Sequence, residues 1–178
     1  MSSYPDIAAF DLDYTVWPCY CDTHISPPFK QVKNSNGEVH KLVDSCGYEI
    51  GFYQDVPKIL SDLKLNGSKI VSASRTWAPE IAKEMLGLFM VEHDGEVIPL
   101  ISLIDFFGMG ERRKVGHLRD AVKGLYGHEN LKTLDICLFD DESRNRDVEH
   151  HGVTFVYVSD PKIGTTWELY QSYLNAKL

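Results

Sequence analysis

Residues 6–18 read Asp-Ile-Ala-Ala-Phe-Asp-Leu-Asp-Tyr-Thr-Val-Trp-Pro. An unbroken apolar run, Ile7 to Phe10, leads straight into Asp11, Asp13 and Thr15. Such a run, without polar alternation, reads as a strand buried on both faces. Open α/β sheets place their chemistry beyond the carboxyl ends of their strands, where Asp11 and Asp13 fall. Residues i and i+2 of an extended chain point the same way, so the two carboxylates are expected to converge on one small volume. Held that close, they repel unless a cation, a proton or hydrogen bonds intervene.

Outward from this run, strand and helix patterns alternate. Val56, Ile59, Leu60 and Leu63 keep helical spacing, with Asp55 as N-cap, Pro57 in the first turn and Gly67 as the stop. Lys69 to Ala73 reads as a second strand and Pro79 to Leu88 as a second helix. Val115, Leu118, Val122 and Leu125 mark a third helix. Leu134 to Phe139 and Val153 to Val158 read as buried strands, and Trp167, Tyr170 and Leu174 as a closing helix. The alternation predicts a central parallel sheet covered by helices on both faces, a three-layer Rossmann-like α/β fold. With no repeat or linker, residues 1–178 read as a single domain.

One segment breaks the alternation. Tyr14 to Gln54 is roughly 40 residues long, against the usual ~2–6 of a βα connection. Within it, Lys30 to Lys33 and Glu38 to Val43 flank Ser35-Asn36-Gly37, and Asn-Gly is a favoured hairpin turn. A β-hairpin emerging just after the aspartates is expected to sit above them as a flap, an insertion spanning about 14–54.

The net charge of −8 speaks against a general affinity for nucleic acid or anionic membranes. No apolar stretch approaches the ~20 residues of a membrane span, and Met1-Ser-Ser-Tyr-Pro-Asp6 lacks the basic and apolar segments of a secretory signal. The expectation is a cytoplasmic protein, with the nucleus also open, and no nucleic acid or membrane partner. Cys137 sits in an apolar run, and Cys19-x-Cys21 lacks the Cys-x-x-Cys spacing of common zinc or redox sites. With Cys46 they could hold a metal, but reduced thiols are the simpler reading.

In a parallel sheet the strand C-termini open on one edge. After the second strand come Ser72, Ser74 and Arg75; after Phe139 come Asp140-Asp-Glu-Ser-Arg-Asn145; a helix opens with Arg112-Arg-Lys114. Each has an ordinary structural explanation alone, as a turn, a cap or a solvent-facing charge. Together, in this order, they point to phosphoryl transfer. Asp11, Asp13 and Asp141 can supply oxygen ligands to a hard cation such as Mg²⁺. A carboxylate can attack phosphorus, a second acid can shuttle the proton, and a lysine and a hydroxyl can hold the phosphoryl oxygens. There is no Gly-x-x-x-x-Gly-Lys-[Ser/Thr] loop, so P-loop nucleotide binding is unsupported.

Asp-Leu-Asp-Tyr-Thr, then Ser-Arg, then Lys, then Phe-Asp-Asp-Glu-Ser-Arg-Asn resembles the four ordered motifs of the haloacid dehalogenase-like (HAD) phosphatases. The match is closer to the magnesium-dependent phosphatase-1 family, through Phe10-Asp-Leu-Asp-Tyr-Thr-Val-Trp-Pro18, Asp22-Thr-His24 with Pro27-Pro-Phe29, Ala73-Ser-Arg-Thr76, Lys114-Val-Gly-His117 and Phe139-Asp-Asp-Glu-Ser-Arg-Asn145. The resemblance implies Asp11 as nucleophile, Asp13 as general acid/base, Ser74 as phosphate-binding hydroxyl, Arg75 as a substrate contact and Lys114 as the lysine that steadies the nucleophile. It implies Asp141 as the last-motif metal ligand, supported by Asp140, with Mg²⁺ as cofactor and no large cap domain. The implied substrate is a small-molecule phosphate ester or a phosphoprotein, of the phosphotyrosine or the sugar and fructosamine phosphate type. Glu92 to Glu111 matches no family motif, leaving Arg112, Arg113 and Lys69 as lesser candidates for the lysine role. Ser72 competes with Ser74. Trp17, Tyr20, His24 and Trp77 either line the entrance or pack. Two other readings are a receiver-like signalling domain, against which the order of acidic pair and lysine argues, and an idle binding module, against which the complete motif set argues.

Overall fold

The computed structural model describes residues 3–178; Met1 and Ser2, the start of the N-terminal stretch considered above, lie outside the described residues. In chain order the strands and helices begin with β1 (Ile7–Phe10), β2 (Lys30–Lys33), β3 (Val39–Val43), β4 (Glu49–Gly51), α1 (Val56–Leu65), β5 (Lys69–Ser74) and α2 (Pro79–Leu88). They continue with β6 (Met90–His93), β7 (Glu96–Pro99), β8 (Phe106–Met109), α3 (Lys114–Tyr126), β9 (Ile136–Asp140), β10 (Thr154–Tyr157) and α4 (Trp167–Asn175).

The central sheet runs β10-β9-β1-β5-β8 with every neighbouring pair parallel. Ile7 to Phe10 pair with Lys69 to Ser72 on one side and Ile136 to Phe139 on the other, so the three strand ends are level. Both faces of β1 are buried. Ile7 and Ala9 join Val71, Ala73, Leu138 and the α3 residues Val115 and Leu118. Ala8 and Phe10 join α1, α2 and α4 through Ile59, Leu63, Met85 and Tyr170. Phe10 stacks on Phe139 with ring centroids 4.8 Å apart. Burial of each such large side chain stabilises the fold by about 1.5–3 kcal/mol, and this is why the run carries no polar residue.

Asp55 precedes α1 as expected, but its side chain makes no cap there. Instead its carboxylate accepts the Trp167 N–H at 2.9 Å, holding the start of α4 against α1.

The insertion after β1 holds the expected hairpin, β2 with β3, and adds β4 on the other side of β3. Val39 of β3 then pairs with Met90, joining the β6–β7 hairpin into a second, antiparallel sheet. The sequence signal for that second hairpin is His93-Asp94-Gly95-Glu96. Asp94 and Gly95 both take positive φ (50° and 82°), the conformation of a two-residue primed turn.

β8 is the central-sheet strand that the sequence pattern does not reveal, because Gly108 depresses the strand signal. The glycine is required: a Cβ there would lie 2.6 Å from the Ser72 carbonyl oxygen and 2.9 Å from the His117 Cβ. Gly108→Ala is therefore expected to lower unfolding free energy by about 1–3 kcal/mol, the usual cost of overpacking. Urea denaturation checks this; an unchanged midpoint would mean that β8 shifts freely away from α3.

Candidate active site

Beyond Phe10 the chain leaves the strand. Asp11 still donates its N–H to the Phe139 carbonyl at 2.9 Å, but Leu12 O then accepts from Thr15 N (3.1 Å) and Val16 N (2.8 Å). Tyr14 sits in the left-handed region, φ 59°, a strained setting for a non-glycine residue. This turn ends the i, i+2 alternation: Asp11 and Asp13 line one cleft, but their carboxylates take different partners. Asp13 Oδ1 accepts the indole N–H of buried Trp17 at 2.7 Å and the Cys21 N–H at 3.2 Å. Asp11 receives Lys114 Nζ at Oδ1 (2.9 Å) and the Thr15 hydroxyl at Oδ2 (3.3 Å).

Lys114 is the first residue of α3, and it is only 1% exposed. Gly110, at φ 108°, makes the turn from β8 into α3, donating its N–H to Ser74 O at 3.0 Å. The Lys114 ammonium also donates to Ala73 O and lies 3.3 Å from Asp140 Oδ2. Burial alone would lower its pKa; the charges of Asp11 and Asp140 outweigh burial and raise it. Arg112 and Arg113 are instead exposed partners of Asp120 and Asp147, and Lys69 is exposed at the far end of β5.

Asp140, the last residue of β9, is fully buried. It accepts Glu142 N at 2.8 Å and Asn145 Nδ2 at 3.0 Å. The Asn145 Oδ1 in turn accepts Arg75 Nη2 at 2.6 Å. Asn145 stands in the quoted last motif, yet its linking position depends on a 3-10 turn, Ser143–His151, that the motif does not reveal. Ser74 ends β5 with its Oγ accepting Thr76 N at 3.3 Å. Ser72, by contrast, donates to Gly108 O at 3.4 Å inside the sheet.

Asp11, Asp140 and Asp141 each present an oxygen within 4.8 Å of the others. Asp140, given only a supporting role from sequence, is thus one of the three, while Asp13, expected beside the ion, is anchored to Trp17 and Cys21. No cysteine belongs to the group. Three carboxylates against one ammonium leave uncompensated negative charge. Accordingly burial, then Asp11, push the Asp140 and Asp141 pKa values up. Hard oxygen donors crowded in this way fit a divalent cation such as Mg²⁺. Asp13 is raised to about 6, by burial first, against the lowering effect of its bonds to Trp17 and Cys21. It can therefore carry and release a proton near neutrality.

These groups open into a cleft of about 250 Å³ lined by Asp11, Asp13, Ser74, Arg75, Thr76 and Lys114, with Tyr20, Asp22, Trp77, Glu111, Glu142 and Arg144 around them. The strands of the second sheet contribute no lining residue; Tyr20 and Asp22, from the turn ahead of the hairpin, do. Trp17 is core, and His24 lines a different depression.

The chain is similar to several known proteins. A family model described as acid phosphatase matches residues 3–177. A Saccharomyces cerevisiae protein named as a candidate magnesium-dependent phosphatase is 60% identical over 178 residues, covering 100% of both chains. A Schizosaccharomyces pombe HAD-like hydrolase superfamily protein is 39% identical over 86% of this chain and 85% of its own. Human magnesium-dependent phosphatase 1 is 33% identical over 90% of this chain and 81% of its own. The crystal structure of the N-terminal part of a Bacteroides fragilis protein, containing a phosphatase domain complexed with Mg, superposes with a TM-score of 0.58 at 16% identity. That match covers 97% of this chain and 40% of the other, and speaks for the fold.

Two outcomes follow from the geometry. Mg²⁺ is expected to raise the thermal midpoint of the parent, as any ligand of the native state does, and Asp141→Asn to remove most of that shift; an equal shift in both would take Asp141 out of the ion's shell. His117 is buried beside Lys114 with its Nε2 3.0 Å from Gly110 O, and burial lowers its pKa to about 4. A depressed folded value stabilises the native state above the unfolded value of about 6.5, and that contribution is lost as pH falls through the folded value. Between about pH 7 and pH 5 the parent should lose more stability than His117→Gln. Parallel losses in denaturant titrations would refute it.

Proposed function

This chain belongs to the acid phosphatase family and is a magnesium-dependent phosphatase of the HAD-like hydrolases, and on that footing we propose that it hydrolyses phosphomonoesters through a phosphoryl group carried on Asp11. The observation that carries the reading is the setting of the Asp11 carboxylate. It is held by the buried Lys114 ammonium and the Thr15 hydroxyl, next to Asp140 and Asp141, at the floor of a cleft. A carboxylate fixed at both oxygens is oriented in advance, which lowers the entropic part of the barrier.

Asp11, Asp140 and Asp141 would hold Mg²⁺, which offsets phosphoryl charge when bound. An Asp11 oxygen attacks phosphorus, the ester P–O bond breaks, and the departing oxygen takes the proton held by Asp13. Asp13, now ionised, removes a proton from water as the water oxygen attacks phosphorus. The Asp11–phosphorus bond then breaks, releasing inorganic phosphate and returning Asp13 to its protonated form. Ser74 and Arg75 hold phosphoryl oxygens. Arg75 suits this role because its Nε is buried in the cleft wall with no hydrogen-bond partner among the described residues. Both anchors of Asp13 fall on Oδ1, which leaves Oδ2 for proton transfer. The family resemblance implies phosphotyrosine-type or sugar and fructosamine-type esters as the substrates, bound with the phosphoryl group in the cleft of about 250 Å³.

Asp11→Asn is expected to reduce turnover of p-nitrophenyl phosphate by at least ~10³-fold, the scale seen when a nucleophile is removed, with the fold retained by circular dichroism. Acid-quenched parent enzyme should carry a phosphoryl adduct on Asp11 by mass spectrometry. Turnover surviving in Asp11→Asn would sink the nucleophile assignment.

A further inference from the structure

Two exposed aromatic residues, Trp77 at 74% and Tyr20 at 47%, line the same cleft. They come from different loops. Trp77 follows the Ser74-Arg75-Thr76 segment after β5, and Tyr20 lies in the turn after β1. Neither ring fills the core. Tyr20 is held from behind, with its ring centroid 4.8 Å from Tyr14 and 5.3 Å from His24. Trp77, three-quarters exposed one residue beyond Thr76 and on the cleft lining, leaves apolar surface that an occupant of the cleft would cover.

The charges at the rim are also uneven. Arg75 is tied to Asn145 and Arg144 to Glu142. Asp22 and Glu111 line the cleft too, and among the described residues neither makes a salt bridge. Arg75 keeps its charge, since its Asn145 partner is neutral, and faces the phosphoryl-binding side; the other unpaired charges lining the cleft mouth, Asp22 and Glu111, are negative. A substrate's phosphoryl group thus meets the cations Lys114 and Arg75, and its leaving group meets the unpaired carboxylates Asp22 and Glu111. Aromatic faces next to unpaired carboxylates favour a ring or a cation, through stacking and cation–π attraction, and repel added anions.

Resting on the phosphatase reading above, we infer that Trp77 and Glu111, supported by Tyr20 and Asp22, are the specificity-determining residues. They select phosphate esters whose leaving group is a ring flanked by positive charge, and discriminate against leaving groups that carry further negative charge. A phosphotyrosyl segment with lysine or arginine beside it has this chemistry. Trp77 covers the ring and Glu111 meets the neighbouring cation.

The test compares kcat/KM for phenyl phosphate against glycerol phosphate, and for phosphotyrosyl peptides flanked by lysine against the same peptides flanked by glutamate. The parent should prefer the lysine-flanked peptide, and added salt should erode the preference, because the attraction is at an exposed rim. Trp77→Ala should lower the phenyl-to-glycerol ratio by about tenfold, the scale of a lost aromatic contact, mainly through KM, with Trp77→Phe restoring most of it. Glu111→Gln should shrink the peptide preference several-fold and leave the phenyl-to-glycerol ratio alone. Dissociation constants of the two peptides for Asp11→Asn should show the same order without turnover. A parent that hydrolyses p-nitrophenyl phosphate but none of these esters overturns this inference, and one that hydrolyses neither these nor p-nitrophenyl phosphate nor sugar and fructosamine phosphates overturns the phosphatase reading itself. A parent that hydrolyses these esters with ratios indifferent to both substitutions overturns only this inference.

Discussion

The buried ammonium of Lys114 is the interaction on which the site depends. It is one positive charge, almost wholly removed from water, bonded to Asp11 and Ala73 O and 3.3 Å from Asp140. A charge so buried is tolerated only when paired and hydrogen-bonded. Those partners sit at the ends of β1, β5 and β9, so three strands must finish at the same level for the lysine to be accommodated. The in-register pairing of the parallel sheet supplies that level edge, and Gly110 supplies the turn that brings the first residue of α3 beneath it. Sheet register, the turn and the helix start are therefore parts of one electrostatic solution.

The same interaction explains the division of labour among the acids. Lys114 compensates one negative charge where Asp11, Asp140 and Asp141 present three, and the deficit is what a divalent cation would fill. Asp13 lies outside this group because the chain turns at Leu12. Its anchor to Trp17 ties it to the core, and burial raises its pKa to about 6. Two aspartates two residues apart thus occupy different electrostatic environments. One is hydrogen-bonded to a buried ammonium, and the other is buried against Trp17 with its pKa raised.

A hydrogen-bonded chain extends this arrangement across the cleft, from Arg75 through Asn145 to Asp140 and so to Lys114. Arg75 and Asp140 follow different strands, and Asn145 bridges them from a 3-10 turn. The Arg75 and Asp140 sides of the cleft are in this way held by one network of polar groups, each with its partner on another element.

The sequence by itself determined the α/β class and the edge at which chemistry gathers. Unbroken short apolar runs such as Ile7 to Phe10, alternating with helical patterns, read as strands buried on both faces, and parallel strands put their C-terminal residues on one edge. It marked Asp11, Asp13, Ser74, Lys114, Asp140 and Asp141 as residues of that edge. Tertiary structure decided what local pattern cannot carry. It placed β8, whose Gly108 is fixed by the close approach of Ser72 and His117 rather than by strand propensity. It joined the 90–99 hairpin to the insertion after β1 through a single pairing far apart in sequence. It grouped Asp140 with Asp11 and turned Asp13 toward Trp17, because side-chain direction past a strand end depends on the turn that follows. It also separated Tyr20 and Trp77, at the rim, from Trp17 in the core. Hydrophobic periodicity records which residues leave water; which buried or exposed groups face each other is set by packing between elements distant in the chain.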